Sequence, residues 1–215
     1  AMLAFSRSYN SGQAQNSNAL GFGWSHNHAM SASRSSDGVR GLGKGLPAEA
    51  APLIAQSYIM QDLLLDRTNR LRNWTIGAVM CKWGMDKLTD NSVTVNLGSK
   101  SAGFTLMPDG SYVPSAGETA GIELSNSVYV LKERFGPTVT FNSNGLVSTS
   151  ADADGNTVEY FYSVSTNLAA VSNSFGYKLT FSYSGKRLTA VSDNAGRAVQ
   201  YGFTNGADLA VSTDP

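Results

Sequence analysis

Residues 185–203 read GKRLTAVSDNAGRAVQYGF, and this stretch decides the fold. Two apolar runs, Leu188-x-x-Val191 and Val199-x-Tyr201-x-Phe203, are joined by the tetrapeptide Asp193-x-x-Gly196. An Asp or Asn side chain can bond to backbone two residues on, and Gly tolerates positive φ at the end of the turn. The stretch is therefore a β-hairpin. The same grammar recurs on both sides of it. Asp152, Asn173, Asp193 and Asp214 are spaced by 21, 20 and 21 residues, and Gly155, Gly176 and Gly196 by 21 and 20. Aromatic runs close each unit at Tyr160-Phe161-Tyr162, Phe181-Ser182-Tyr183 and Tyr201-Gly202-Phe203. A lone hairpin is marginal in water, so successive units must pair edge to edge. The expected fold is mainly β: tandem hairpins in an extended, curved antiparallel sheet with one face more apolar than the other.

Degenerate forms of this pattern continue upstream. Asp109-Gly110 and Asn144-Gly145 are hairpin-type turn signals, flanked by Phe104-x-Leu106, Tyr112-Val113, Tyr129-x-Leu131 and Val139-x-Phe141. Val93-x-Val95-x-Leu97, Leu3-x-Phe5 and Trp24-x-His26-x-His28-x-Met30 alternate with the period of a strand. One region breaks the pattern. From Ala48 to about Leu65 the residues Leu53, Ile54, Tyr58, Leu64 and Leu65 fall at helical spacing. A second helix is expected after Asn73 as its cap, with Ile76, Val79, Met80, Trp83 and Leu88 on one face. The polar, Gly-rich stretch from Ser31 to Pro47 reads as a loop. Four segments result: N-terminal strands in 1–32, a loop and helical insertion in 33–91, lead-in hairpins in 92–144, and hairpin repeats in 145–215, the last one cut short.

The chain has 215 residues, with 16 Lys and Arg against 16 Asp and Glu. This balance excludes a nucleic-acid partner held by a basic surplus. Charged residues make up 15% of the chain and hydrophobic ones 41%, so the surface is covered by Ser, Thr, Asn and Gly while a core remains affordable. Cys81 stands alone, which excludes an internal disulfide and a zinc finger, and it reads as a buried small hydrophobe. The stretch from Ala48 to Leu65 is too short and too polar for a bilayer span, and no signal peptide opens the chain.

Several motifs touch on chemistry without completing it. Gly38 to Lys44 fits GxxxxGK, but Gly45 stands where a Ser or Thr must bind magnesium, and a flexible loop is the plainer reading. His26 and His28 share a strand face, yet two ligands do not make a metal site, and packing beside Trp24 and Met30 accounts for them. Asp152 to Asn156 resembles a calcium loop, but its Gly and Glu are out of order and it reads as a turn. No nucleophile elbow occurs, so no catalytic, metal or cofactor residue is expected, and no cofactor. Tyr160, Tyr162, Tyr183 and Tyr201 could stack sugars; the competing reading is that they are cross-strand neighbours holding the sheet.

The repeated Leu, Val, Asp, Gly and closing aromatic pair resembles the YD repeats of Rhs proteins. The front segment Phe5-Ser6-Arg7-Ser8-Tyr9-Asn10-Ser11, followed by Leu20-Gly21-Phe22-Gly23-Trp24-Ser25-His26-Asn27-His28, resembles the N-terminal signature of the same proteins. Its marker residues here are Arg7, Tyr9, Asn10, Gly21, Gly23, Trp24, His26 and Asn27. The resemblance covers most of the chain except roughly 33–91. It implies a spiral sheet closing into a hollow shell, as in teneurins and the insecticidal toxin complexes, and a bacterial cell-surface or extracellular location. The expected role is non-enzymatic scaffolding, with a carbohydrate-binding or adhesive module as the alternative. The partners implied are other copies of the chain, or the rest of a longer precursor, met through sheet edges; a toxin cargo or a glycan would be a further partner. The cut after Asp214-Pro215 implies that the chain is a piece of a longer polypeptide.

Overall fold

The computed structural model describes residues 3–36, 40, 42, 44, 46–65, 68–89, 91–107, 109–205 and 208–214. Most of Gly38–Lys44 and the side chain of Cys81 lie outside the described residues. In chain order the elements are β1 (Arg7–Tyr9), β2 (Ser17–Asn18), β3 (Gly21–Phe22), β4 (Trp24–His26), β5 (Met30–Ser35), α1 (Pro47–Leu64), α2 (Arg70–Thr89), β6 (Ser92–Leu97), β7 (Ser101–Leu106) and β8 (Tyr112–Pro114). Ten strands follow: β9 (Gly121–Ser125), β10 (Val128–Lys132), β11 (Thr138–Phe141), β12 (Val147–Ala151), β13 (Thr157–Tyr162), β14 (Leu168–Asn173), β15 (Lys178–Ser184), β16 (Arg187–Asp193), β17 (Ala198–Thr204) and β18 (Asp208–Thr213). The fold is mainly β with two helices, and its largest sheet takes β9 to β18 in chain order without closing into a barrel. Smaller sheets pair β1 with β4 and β2 with β3, and run β5-β6-β7-β8. Two compact units result, one of Ala1–Ala32, Val95–Ala102 and Thr119–Pro215, the other of Ser33–Thr94 and Gly103–Glu118.

Two periodic devices build the ten-stranded sheet. The first is a five-residue turn. At Asn142, Asp152, Asn173 and Asp193 the backbone N–H donates to the carbonyl four residues on, and the carbonyl accepts from the N–H three residues on. The side-chain Oδ1 of the same residue accepts from the N–H groups two and four residues on, at 2.9–3.1 Å. The fourth position then needs positive φ, which Gly145, Gly155, Gly176 and Gly196 supply. Ser163 opens an equivalent backbone turn in which Thr166 takes φ 62°.

The second device is a β-bulge. Register shifts leave Ser148, Ala169, Thr189 and Ala210 without a partner across the ladder, at spacings of 21, 20 and 21 residues. A regular strand sends residues three apart to opposite faces. The extra residue restores them to one face, so Leu168 and Val171, like Leu188 and Val191, are all buried. The hydroxyls of Ser148 and Thr189 donate to the carbonyls of Thr140 and Ser182, acceptors that sit beside the break.

In the first unit the covered face of the sheet gathers Leu168, Val171, Leu179, Phe181, Leu188, Val191 and Tyr201 around Leu20, with Leu3, Phe5 and Trp24 packed against them. In the second unit Ala50, Val93 and Phe104 are buried.

Several local expectations are corrected. Trp24 to Met30 is not one strand: β4 ends at His26, and Ala29 N–H donates to His26 C=O across a turn before β5 begins. Residues 31–35 belong to β5 rather than to a loop. Leu3 and Phe5 are not in a strand; the first strand begins at Arg7. The second helix begins at Arg70, three residues before the expected cap, because Asn69 rather than Asn73 accepts from the N–H of Arg72. The Asn144-Gly145 turn opens at Asn142, so it is a further copy of the repeat turn.

Candidate functional site

The front segment meets the sheet through named contacts, each set by its local sequence. The Arg7 guanidinium donates to Ser212 Oγ at 2.7 Å and lies over the Tyr201 ring, which ties β1 to β18. Tyr9 and Trp24 face each other across β1 and β4 with rings 5.4 Å apart. Asn10 caps a short 3-10 turn by accepting from Gly12 N–H, and its own N–H donates to Gly23 C=O. Gly21 and Gly23 both have positive φ; a Cβ on Gly23 would meet the Tyr9 ring at 2.7 Å. Asn27 Oδ1 accepts from Ser6 N–H while its amide donates to Ala4 C=O. From the sheet side, Arg187 donates to Asn18 C=O and to Ser17 Oγ, and Leu188 N–H, next to the Thr189 bulge, donates to Ala19 C=O. The bulge thus frees a backbone donor for docking.

His26 and His28 sit at the centre of this contact. Phe5 lies 5.4 Å from His26 and 6.4 Å from His28, with Phe181 against both and Tyr160 against His28. Burial, and then the neighbouring His28, push the His26 imidazole down to about 3. Burial also lowers His28, while its bond to Ala4 C=O acts against that. Both rings are therefore neutral at neutral pH, and each Nδ1 is buried without a hydrogen-bond partner. A neutral imidazole among aromatic rings is a packing group here. Among the described residues, no group of three or more His, Cys, Asp and Glu could hold a metal ion.

The four tyrosines do share a face, and it is the covered one. Tyr201 is buried, and Tyr160, Tyr162 and Tyr183 are half-buried against the front segment. Burial pushes the hydroxyls of Tyr160 and Tyr183 up to about 12, and raises Tyr162 and Tyr201 as well. Of the exposed aromatic residues in this region, Phe161 lies in β13, while Phe135, Phe175 and Tyr177 stand in the connections between strands. Tyr162 and Tyr183 nevertheless reach a cleft of about 260 Å³, lined also by His26, His28, Asn96 and Asn167.

The repeat-turn residues Asp152, Gly155, Asn173, Gly176, Asp193 and Gly196 all sit in the turns, and Asp214 follows β18. Hydrogen bonds hold Asp152 and Asp193 below the usual carboxylate range; the largest cause is the Asn156 side chain for the first and the Arg197 N–H for the second. Sequence reasoning missed Arg187, Asn167 and Asn194. Asn167 and Asn194 donate across neighbouring turns to Gly185 and Gly176 C=O, and no periodic pattern marked them.

Residues 1–43 match a family model described as a domain of unknown function, DUF6531. No curated protein matches the chain. Among the described residues no helix is long and apolar enough to cross a membrane.

Proposed function

We propose that this chain is a non-enzymatic structural segment of a secreted or cell-surface Rhs/YD-repeat shell, in which the front segment clamps a sheet that grows by one hairpin per repeat. The observation that carries the reading is the use made of the signature residues. Arg7, Tyr9, Asn10, Gly21, Gly23, Trp24, His26 and Asn27 are each engaged in turns, caps or packing that fasten the front segment or seat it on the sheet. The match of residues 1–43 to DUF6531 is consistent with a repeat-type region. In a longer polypeptide the sheet would continue beyond β18 and enclose a cargo such as a toxin.

The sheet edges do the work in this reading. Among the described strands, β9 and β18 each pair on one side only. An open edge is a template for another strand, from the same polypeptide or from a second copy. Light scattering over a range of concentrations tests this: association that disappears in Val211→Lys, at an exposed β18 position, is the expected result. A monomer at every concentration would contradict it.

A second reading, glycan binding, is favoured by the cleft that Tyr162 and Tyr183 line beside Asn96 and Asn167. Calorimetric titration with a glycan panel checks it. Saturable heat that is lost in Tyr183→Ala supports it, and silence across the panel removes it.

A further inference from the structure

Helix α1 has its polarity turned inside out, whereas α2 covers Ile76 and Met80 along with Asn73 and Gly77 among its described side chains. Among the described side chains of α1, the partly or fully covered ones are Ala50, Leu53, Ser57 and Gln61, about one per turn, and two of these four are polar. Gln61 reaches Gly77 of α2, where a Cβ would stand 3.5 Å from its Nε2. Small and polar residues between helices are how helices pack when the surrounding medium is apolar. The large apolar residues of α1 point outward instead. Tyr58 is 73% exposed and Leu63 78%, with Ile54, Ile59, Met60 and Leu64 also exposed, and Trp74 of α2 is 72% exposed beside Leu71.

These residues wrap most of the circumference of α1, because 54 and 58, 59 and 63, and 60 and 64 lie on different sides at 3.6 residues per turn. Exposed apolar residues in this number on one helix hairpin mark a docking surface rather than an ordinary solvated face. Charge narrows the choice further. Over Pro47–Leu64 the charges are Glu49 and Asp62 alone, while Arg70 and Arg72 are exposed in the first turn of α2, next to Leu71 and Trp74. Basic side chains beside a Trp and exposed leucines are the composition that seats at an anionic headgroup boundary.

We propose that the α1–α2 hairpin docks on an anionic lipid surface, lying in the interface with Leu63 and Leu64 of α1 and Leu71 and Trp74 of α2 immersed. Neither helix is long and apolar enough to cross a membrane, which fits a surface seat. The proposal is independent of the scaffolding reading and would bring such a scaffold to a membrane.

Co-sedimentation of the whole chain with vesicles of phosphatidylcholine plus phosphatidylserine tests it. The expected result is binding that falls by roughly tenfold or more in Leu63→Glu/Trp74→Glu, and that weakens in pure phosphatidylcholine vesicles or at high salt. Both positions are exposed, so far-ultraviolet circular dichroism should be unchanged and a loss cannot be put down to unfolding. Absence of binding, or binding that the double variant leaves intact, would overturn the proposal. So would a dimer that the same double variant dissolves while vesicles are ignored, since a second copy would then be the occupant.

Discussion

Lowering the pH from 7.5 to 5 should cost this fold about 2 kcal/mol through His26 alone. The unfolded chain titrates near the ordinary histidine value of 6.5, whereas burial holds the folded ring down to about 3. Above 6.5 both states carry a neutral ring and the group contributes nothing to the pH dependence. Below 6.5 the unfolded state gains a proton that the folded state refuses, so stability falls by about 1.4 kcal/mol per pH unit until the folded ring titrates. His28 shifts in the same direction and adds to the loss. Asp152 and Asp193 have lowered values, so what they contribute is present above the ordinary carboxylate value and is lost only in stronger acid. Urea denaturation at several pH values, followed by tryptophan fluorescence, measures the slope. The variant His26→Gln/His28→Gln is less stable at pH 7.5 but should be nearly flat between 7.5 and 5. A flat profile for the natural chain, or an equal slope in the double variant, would refute the packing role of the two rings.

Four further substitutions have outcomes that the backbone geometry sets. Gly145→Ala should cost about 3 kcal/mol or more in chemical denaturation, because its Cβ would run into Ala32 C=O in a backbone that already has φ 74°. Gly155→Ala has the same kind of φ but open space, and should cost only about 1–2 kcal/mol. Thr189→Val removes the hydroxyl that serves Ser182 C=O at the bulge and should cost about 1 kcal/mol in the same assay, whereas Ala169→Ser, at the equivalent bulge, should be neutral or slightly stabilising.

The turns were legible because Asx at the first place and Gly at the fourth are each demanded by a bond or a dihedral angle, and both leave a mark in the sequence. Asn142 escaped because the dipeptide Asn144-Gly145 two residues later is the stronger familiar signal. The bulges carry no residue marker of their own: Ser, Ala, Thr and Ala occupy them. Their trace was the spacing of Leu188 and Val191, three apart where a strand allows two or four, and it was visible in advance. Helical spacing correctly placed α1 but could not say what covers it, since periodicity reports which residues share a face and not which face is wet. The sequence suggested that the histidines pack beside Trp24 and Met30, whereas the rings they meet are those of Phe5, Phe181 and, for His28, Tyr160, which come from distant parts of the chain. The separation of the two histidines by a turn was hidden because Asn27, which makes the turn, also fits the alternation. The tyrosine stripe was ambiguous for a related reason: period two assigns a common face, and only the docking of the front segment decides that the face is covered.

The scaffold role proposed for the ten-stranded sheet requires that it be extended at its edges. Hydrogen exchange of the β9 and β18 amides, measured at low and high protein concentration, tests it most directly. The expected result is that protection of Gly121–Ser125 or Asp208–Thr213 rises with concentration while β13 to β16 stay constant. Protection of both edge strands that does not depend on concentration would contradict it.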